Sequence, residues 1–207
     1  MDEREPREST ANPSEGKTSC IRARLDPLEP GWGRYDALVA TWGARIDLTG
    51  ARTARARAEI LFADAVVLDD PALVPPGTRL IDVGAGVGAP TIPLLLARPD
   101  LSATLLEPRR RRVAFLRTAV GSLDLVGRCR VIEGRLEDAP IEGAPFDLAL
   151  SRATFAPEEW LRRARALAPR AIAMVAGDPL PDGERLAERH YRTPYSGAPR
   201  ALALYAL

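Results

Sequence analysis

From Thr78 onward, short apolar runs alternate with stretches of helical period. The runs fall at 79–83, 103–107, 129–132, 146–150 and 171–175, and helical candidates lie between them at 90–98, 109–121 and 157–168. Each run is apolar at nearly every position rather than at every second one. A strand of that kind is buried on both faces, so the repeat predicts an α/β fold with a parallel sheet covered by helices on both sides. The tail differs: two further strand candidates, 186–192 and 200–205, flank Pro194-Tyr195-Ser196-Gly197. They are close enough to pair as an antiparallel hairpin on one sheet edge, which makes a mostly parallel, seven-stranded sheet.

Upstream the period is helical. Tyr35, Leu38, Val39, Trp42 and Ile46 recur at three- and four-residue spacing, the mark of one inward face. A second helix is expected over about 52–69, with Ile60, Leu61, Ala65 and Leu68 on its buried stripe; Pro71, Pro75, Pro76 and Gly77 then stop it. Residues 1–31 carry Pro6, Pro13, Pro27, Pro30 and many charges without apolar period. They are expected to form a disordered leader. The plan is thus a leader (1–31), a helical N-terminal extension (32–77) and an α/β domain (78–207).

Composition narrows the class. A chain of 207 residues, 46% hydrophobic and 28% charged, holds one ordinary core. Cys20 and Cys129 are the only cysteines, too few for a disulfide framework or a four-thiolate zinc site, and with one histidine no metal site is arguable. No apolar run approaches the roughly 20 residues of a membrane span, and the charged start MDEREPREST is not a secretory signal. The expectation is a cytoplasmic protein without membrane contact. Net charge is +1, so any pull on nucleic acid must come from local clustering. Lys17 is the only lysine among 29 basic residues. Compositional bias and phosphate recognition by arginine both account for that, and composition does not separate them.

The chemical signal is Leu80-Ile81-Asp82-Val83-Gly84-Ala85-Gly86-Val87-Gly88-Ala89-Pro90. An apolar strand runs into a turn with glycine at every second position, and Pro90 stands where a helix begins. Such glycines let a ligand approach the backbone at the carboxyl end of a strand. Glu107 closes the next strand, 19 residues past Gly88 (107 − 88), where an acid can accept hydrogen bonds from ribose hydroxyls. This is a nucleotide-type site. Gly84-x-Gly86-x-x-Ala89 also satisfies the looser NAD or FAD fingerprint. The chain, however, lacks the further 100 or so residues that usually supply a dehydrogenase's substrate domain. An Asp-bearing strand before Gly-x-Gly-x-Gly, with a terminal antiparallel pair, looks like the class I S-adenosylmethionine-dependent methyltransferases and their Rossmann-like fold.

Several segments together resemble one family of that class, the RsmG (GidB) methyltransferases of guanine N7 in 16S ribosomal RNA. They are Trp42-Gly43-Ala44-Arg45-Ile46-Asp47-Leu48-Thr49, the glycine loop through Pro93-Leu94, and Leu105-Leu106-Glu107 with Arg111-Arg112-Val113-Ala114-Phe115-Leu116. Gly134-Arg135-Leu136-Glu137-Asp138, Phe146 to Ala153 with its Ser151-Arg152-Ala153 step, and Gly197-Ala198-Pro199-Arg200-Ala201-Leu202 complete the series. The resemblance implies S-adenosylmethionine as cofactor, held by Asp82, Gly84, Gly86, Gly88 and Ala89, by Glu107 at the ribose, by Leu136 and Glu137 beside the adenine, and by Arg152. It implies catalytic roles for Arg152 and Asp64, and the small ribosomal subunit or its RNA as partner of a monomeric enzyme. This chain departs from the family's Arg-His…Asp-Ser stretch at Ile60-Leu61-Phe62-Ala63-Asp64-Ala65, keeping only the aspartate. Asp47 replaces an asparagine, Thr91 a glycine, and Ala176-Gly177 a Lys-Gly pair.

Guanine N7 carries a free lone pair, so methyl transfer to it needs positioning and electrostatics rather than a general base. His190, the only histidine, reads as structural. Arg109-Arg110-Arg111-Arg112, with Arg162, Arg163 and Arg165, forms either a solvated helix face or a phosphate-binding rim. Other readings are a relative acting on another RNA or a small molecule, a cofactor-binding protein without turnover, and a nicotinamide-binding protein.

Overall fold

A computed structural model describes residues 13–138 and 141–207. Seven strands form one sheet in the order β3-β2-β1-β4-β5-β7-β6. They are β1 (Arg79–Val83), β2 (Ser102–Glu107), β3 (Cys129–Glu133), β4 (Leu148–Leu150), β5 (Arg170–Val175), β6 (Arg185–Arg192) and β7 (Pro199–Ala206). The first five are parallel. β7 runs antiparallel beside β5 and carries β6 as the outer strand. The expected seven-stranded sheet with a terminal hairpin is therefore present.

Alternation along β1 explains the two-layered core. Leu80 faces a cluster built with α1 (Pro13–Leu25), α2 (Pro30–Gly43), α3 (Ala54–Leu68), α4 (Thr91–Ala97) and α5 (Arg110–Ser122). Ile81 and Val83 face the opposite side, where Trp160, Leu161 and Ala164 of α6 (Pro157–Ala164) cover them together with loop residues. One face is thickly covered by five helices. Among the described residues, α6 is the only helix contributing to the core on the other.

Three details differ from the sequence reading. Over 13–25 the leader is helical: α1 lies against α3 and β6, and Ile21 and Leu25 are buried at 1% and 4% exposure. Two apolar side chains one turn apart gave too little period to register, yet they suffice once α3 offers a surface. Residues 1–12 lie outside the described residues. Ile60, expected on the buried stripe of α3, is 39% exposed, because α3 is buried on most of its circumference and Ile60 points to the remaining opening. Pro90 is the N-cap of α4 rather than its first residue.

After β1 the chain moves to β2 and β3 on one side, then returns to lay β4 on the other. That reversal opens a crevice beyond the carboxyl ends of β1 and β4, the place where open α/β sheets bind ligands.

Candidate functional site

The glycine loop is fixed from both sides. Gly84 N and Ala85 N donate to Leu106 O of β2 at 2.8 and 3.1 Å. Tyr35 of α2, fully buried, donates its hydroxyl to Val87 O at 2.6 Å. Gly84, Gly86 and Gly88 all have positive φ, at 75°, 61° and 88°, a region L side chains rarely adopt. Their surroundings differ. A Cβ on Gly84 would lie 2.3 Å from Thr154 Oγ1, and one on Gly88 2.5 Å from Ile92 Cδ1, so both glycines allow close packing within the protein. At Gly86 the nearest atoms would be 3.7 Å away, the Arg112 guanidinium among them. This is where the backbone can be approached from outside, while Ala89 lies buried behind it.

Glu107 is 2% exposed, and its two oxygens accept from Gly86 N and Arg109 N, each at 2.8 Å. The carboxylate thus ties the loop to the start of α5, and each oxygen keeps a further lone pair for a ligand hydroxyl. Asp82 lies deeper and accepts from Thr91 Oγ1 at 2.6 Å. Burial pushes its carboxyl up to about 7, against the hydrogen bond from Thr91 and the charge of Arg152, which lower it. Thr91, a departure from the family pattern, is thus the hydroxyl that satisfies a buried acid.

Beside the loop lies a cleft of about 450 Å³, walled by Ile60 and Asp64 of α3, Arg152 and Phe155 after β4, Met174 of β5, and Tyr191 and Arg200 of the hairpin. Arg152 Nη1 donates to Ile60 O at 2.7 Å and to Asp64 Oδ2 at 3.0 Å. Asp64 Oδ1 accepts from the Tyr191 hydroxyl at 2.5 Å. The loop carrying Arg152 is anchored through Ser151 Oγ, which donates to Val83 O at 2.7 Å, and it lays Thr154 over Gly84. The two candidate catalytic residues, Arg152 and Asp64, therefore meet as an ion pair at the wall of the cleft.

Leu136 and Glu137 stand apart from that cleft. Their turn follows β3 and is joined to β2 by Gly134 N, which donates to Glu107 O at 3.2 Å. Glu137 is paired with Arg163 of α6 over a shallow depression that Leu136 and Ile141 also line. Arg163 also holds Glu159 and stacks on Phe155 at 4.8 Å, so it is not a free member of any phosphate-binding rim. Arg109, Arg110 and Arg111 are exposed and Arg112 half-buried. Among the described residues no carboxylate side chain pairs with any of the four. His190 is 63% exposed beside Glu188, outside the cleft.

Sequence reasoning missed Tyr191, which meets Asp64 across 127 residues where no spacing pairs them; it put Tyr35 on an inward helix face and noted Thr91, but not that their hydroxyls bond Val87 O and Asp82.

A sequence model of the GidB family, described as rRNA small subunit methyltransferase G, matches residues 31–175. A curated relative, the ribosomal RNA small subunit methyltransferase G of Myxococcus xanthus, is 35% identical over 196 residues, covering 86% of this chain and 88% of the relative. The protein of the same name from Frankia casuarinae is 42% identical over 130 residues, 62% of this chain and 48% of its own length. Among solved structures, an O-methyltransferase from Bacillus cereus in complex with SAH superposes with a TM-score of 0.62 at 14% identity, covering 93% of this chain and 99% of that one. At that identity the likeness concerns the fold.

Proposed function

This chain belongs to the GidB family of small-subunit ribosomal RNA methyltransferases, and from that membership we propose that it methylates guanine N7 of 16S ribosomal RNA with S-adenosylmethionine as donor. The observation that carries the proposal is the position of the Arg152–Asp64 pair, on a cleft that adjoins a ligand-accessible glycine loop at the switch point of the sheet.

The residues fit the cofactor. Gly86 leaves the backbone open, and the loop from Gly84 to Ala89 would adjoin the methionine part. Glu107, held by two backbone N–H groups, would accept from the ribose hydroxyls. Leu136 would give an apolar wall to the adenine, with Glu137 at its rim. Asp82 supports this frame from beneath. The cofactor supplies an electrophilic methyl group on a sulfonium; the chain's task is to set the acceptor in line with it. N7 offers its lone pair without losing a proton, so no side chain acts as a base. Arg152 would donate to an acceptor oxygen beside the attacking nitrogen, and Asp64 fixes its guanidinium. The exposed Arg109, Arg110 and Arg111, with the half-buried Arg112, would take the flanking phosphates. The enzyme acts as a monomer in the cytoplasm, where the small subunit is assembled.

A second reading rests on Ile60 and Ala176, which make apolar those parts of the cleft wall where the family carries basic residues. It keeps the donor and replaces the acceptor by another RNA or a small molecule. Titration calorimetry with S-adenosylhomocysteine tests the shared part. Wild type binds, Glu107→Ala binds at least tenfold more weakly, and Gly86→Val does not bind measurably. Equal affinity in all three would place the cofactor elsewhere. Methyl transfer to the small subunit then decides between the two acceptors.

A further inference from the structure

Arg152 reaches the cleft as the end of a chain of contacts drawn from three parts of the fold. Its loop follows β4, its carboxylate partner Asp64 stands on α3, and the group that occupies the other oxygen of Asp64 is Tyr191 on β6. We propose that Tyr191 is a positioning residue for methyl transfer: its hydroxyl, held by the terminal hairpin, orients the Asp64 carboxylate so that Arg152 presents its guanidinium to the acceptor.

The geometry gives each link a reason. A carboxylate can turn about its Cβ–Cγ bond and offer either oxygen, in several directions, to an arginine. Asp64 is 8% exposed and Tyr191 3%, so water contributes little to ordering the pair. With Tyr191 donating to Oδ1, Oδ2 is left to Arg152, and a second acceptor, Ile60 O at 2.7 Å, fixes the direction from which the guanidinium arrives. Burial and the adjacent carboxylate hold the Tyr191 hydroxyl well above its ordinary range of ionisation. It therefore stays a donor at every working pH. The hairpin has a second tie to α3 at the rim of the cleft: Glu59 accepts from Tyr195 N and Ser196 N at 3.0 Å each. That tie fixes the turn that follows β6, and with it the end of the strand that carries Tyr191.

The inference rests on the methyltransferase reading, and its test separates the two. Tyr191→Phe removes one oxygen and keeps the buried ring. Two measurements are made on it: the Arg152 guanidinium N–H signals in the 15N NMR spectrum, and steady-state methylation of small subunits. The expected results are faster exchange of the Arg152 N–H signals and a roughly tenfold fall in kcat, with S-adenosylhomocysteine affinity within twofold of wild type. In an Asp64→Asn background, Tyr191→Phe should cost less than a further twofold, because the link it acts through is already broken. Two outcomes overturn the proposal. One is an unchanged Arg152 spectrum with kcat within twofold. The other is a loss of activity that multiplies with that of Asp64→Asn and follows the fraction of folded protein, which a merely structural tyrosine would give. If wild type transfers no methyl group, the methyltransferase reading fails on its own, and the exchange of Arg152 still decides whether Tyr191 orders it.

Discussion

Asp82 shows how one side chain records both the fold and the site. A carboxyl held near 7 by burial, against about 4 in an unfolded chain, binds its proton more tightly when folded. The folded state therefore carries the extra proton between about pH 4 and 7, and stability contributed by this group declines as pH rises through that window. The full shift is worth on the order of 4 kcal/mol. We predict that Asp82→Asn flattens the fall of Tm between pH 4 and 7 relative to wild type, measured by calorimetry; parallel profiles would deny the shift. Gly84 yields a second residue-scale prediction. Gly84→Ala forces a Cβ onto Thr154 at a φ of 75° and should cost about 1–3 kcal/mol of stability, together with at least tenfold in S-adenosylhomocysteine affinity. Adding Thr154→Ala should recover part of the loss. Both glycine and acid were legible in the sequence because the loop's spacing is local. The hydroxyl bonds around the site were not: Thr91 reaches Asp82 only through the fold of the loop between them, and Tyr35 and Tyr191 reach Val87 O and Asp64 from distant parts of the chain.

At the scale of elements, α5 begins with cations where a helix prefers anions. No acid occupies its first turn, and cations there oppose the helix dipole by a few tenths of a kcal/mol each. Evolution of stability alone would not place Arg110 and Arg111 side by side at that end. The double variant Arg110→Glu/Arg111→Glu should raise stability by about 0.5–1 kcal/mol in urea titration. It should also weaken RNA binding and make its dependence on salt shallower. Weaker binding without a change in salt dependence would remove the phosphate-contact role. α1 gives the opposite case. Ile21 is 1% exposed, and Ile21→Ala should cost about 2–4 kcal/mol by chemical denaturation; no loss would mean that α1 is not part of the folded core. The parallel strands were readable as near-continuous apolar runs, and β1 has the bounds the pattern predicts. α1 was not, since its stability comes from α3 and β6 rather than from its own composition.

For the whole molecule, the strand order places the glycine loop, Glu107 and the Arg152 cleft along one end of the sheet, and the helical extension closes the same end through Tyr35, Ile60 and Asp64. The fold was largely legible because strand and helix periods alternate plainly. The acceptor side was less so, because it is assembled from α3, the loop after β4, β5 and the hairpin, which meet only in three dimensions. Transfer of one methyl group to the small-subunit RNA is measured by incubating the protein with labelled S-adenosylmethionine and small subunits that lack the modification, then treating the RNA with borohydride and aniline, which cleave at N7-methylguanine. Label is expected in the 16S RNA at one position, with cleavage there. Cofactor binding with no label in the RNA, or label at a position that resists cleavage, would contradict methyl transfer to guanine N7.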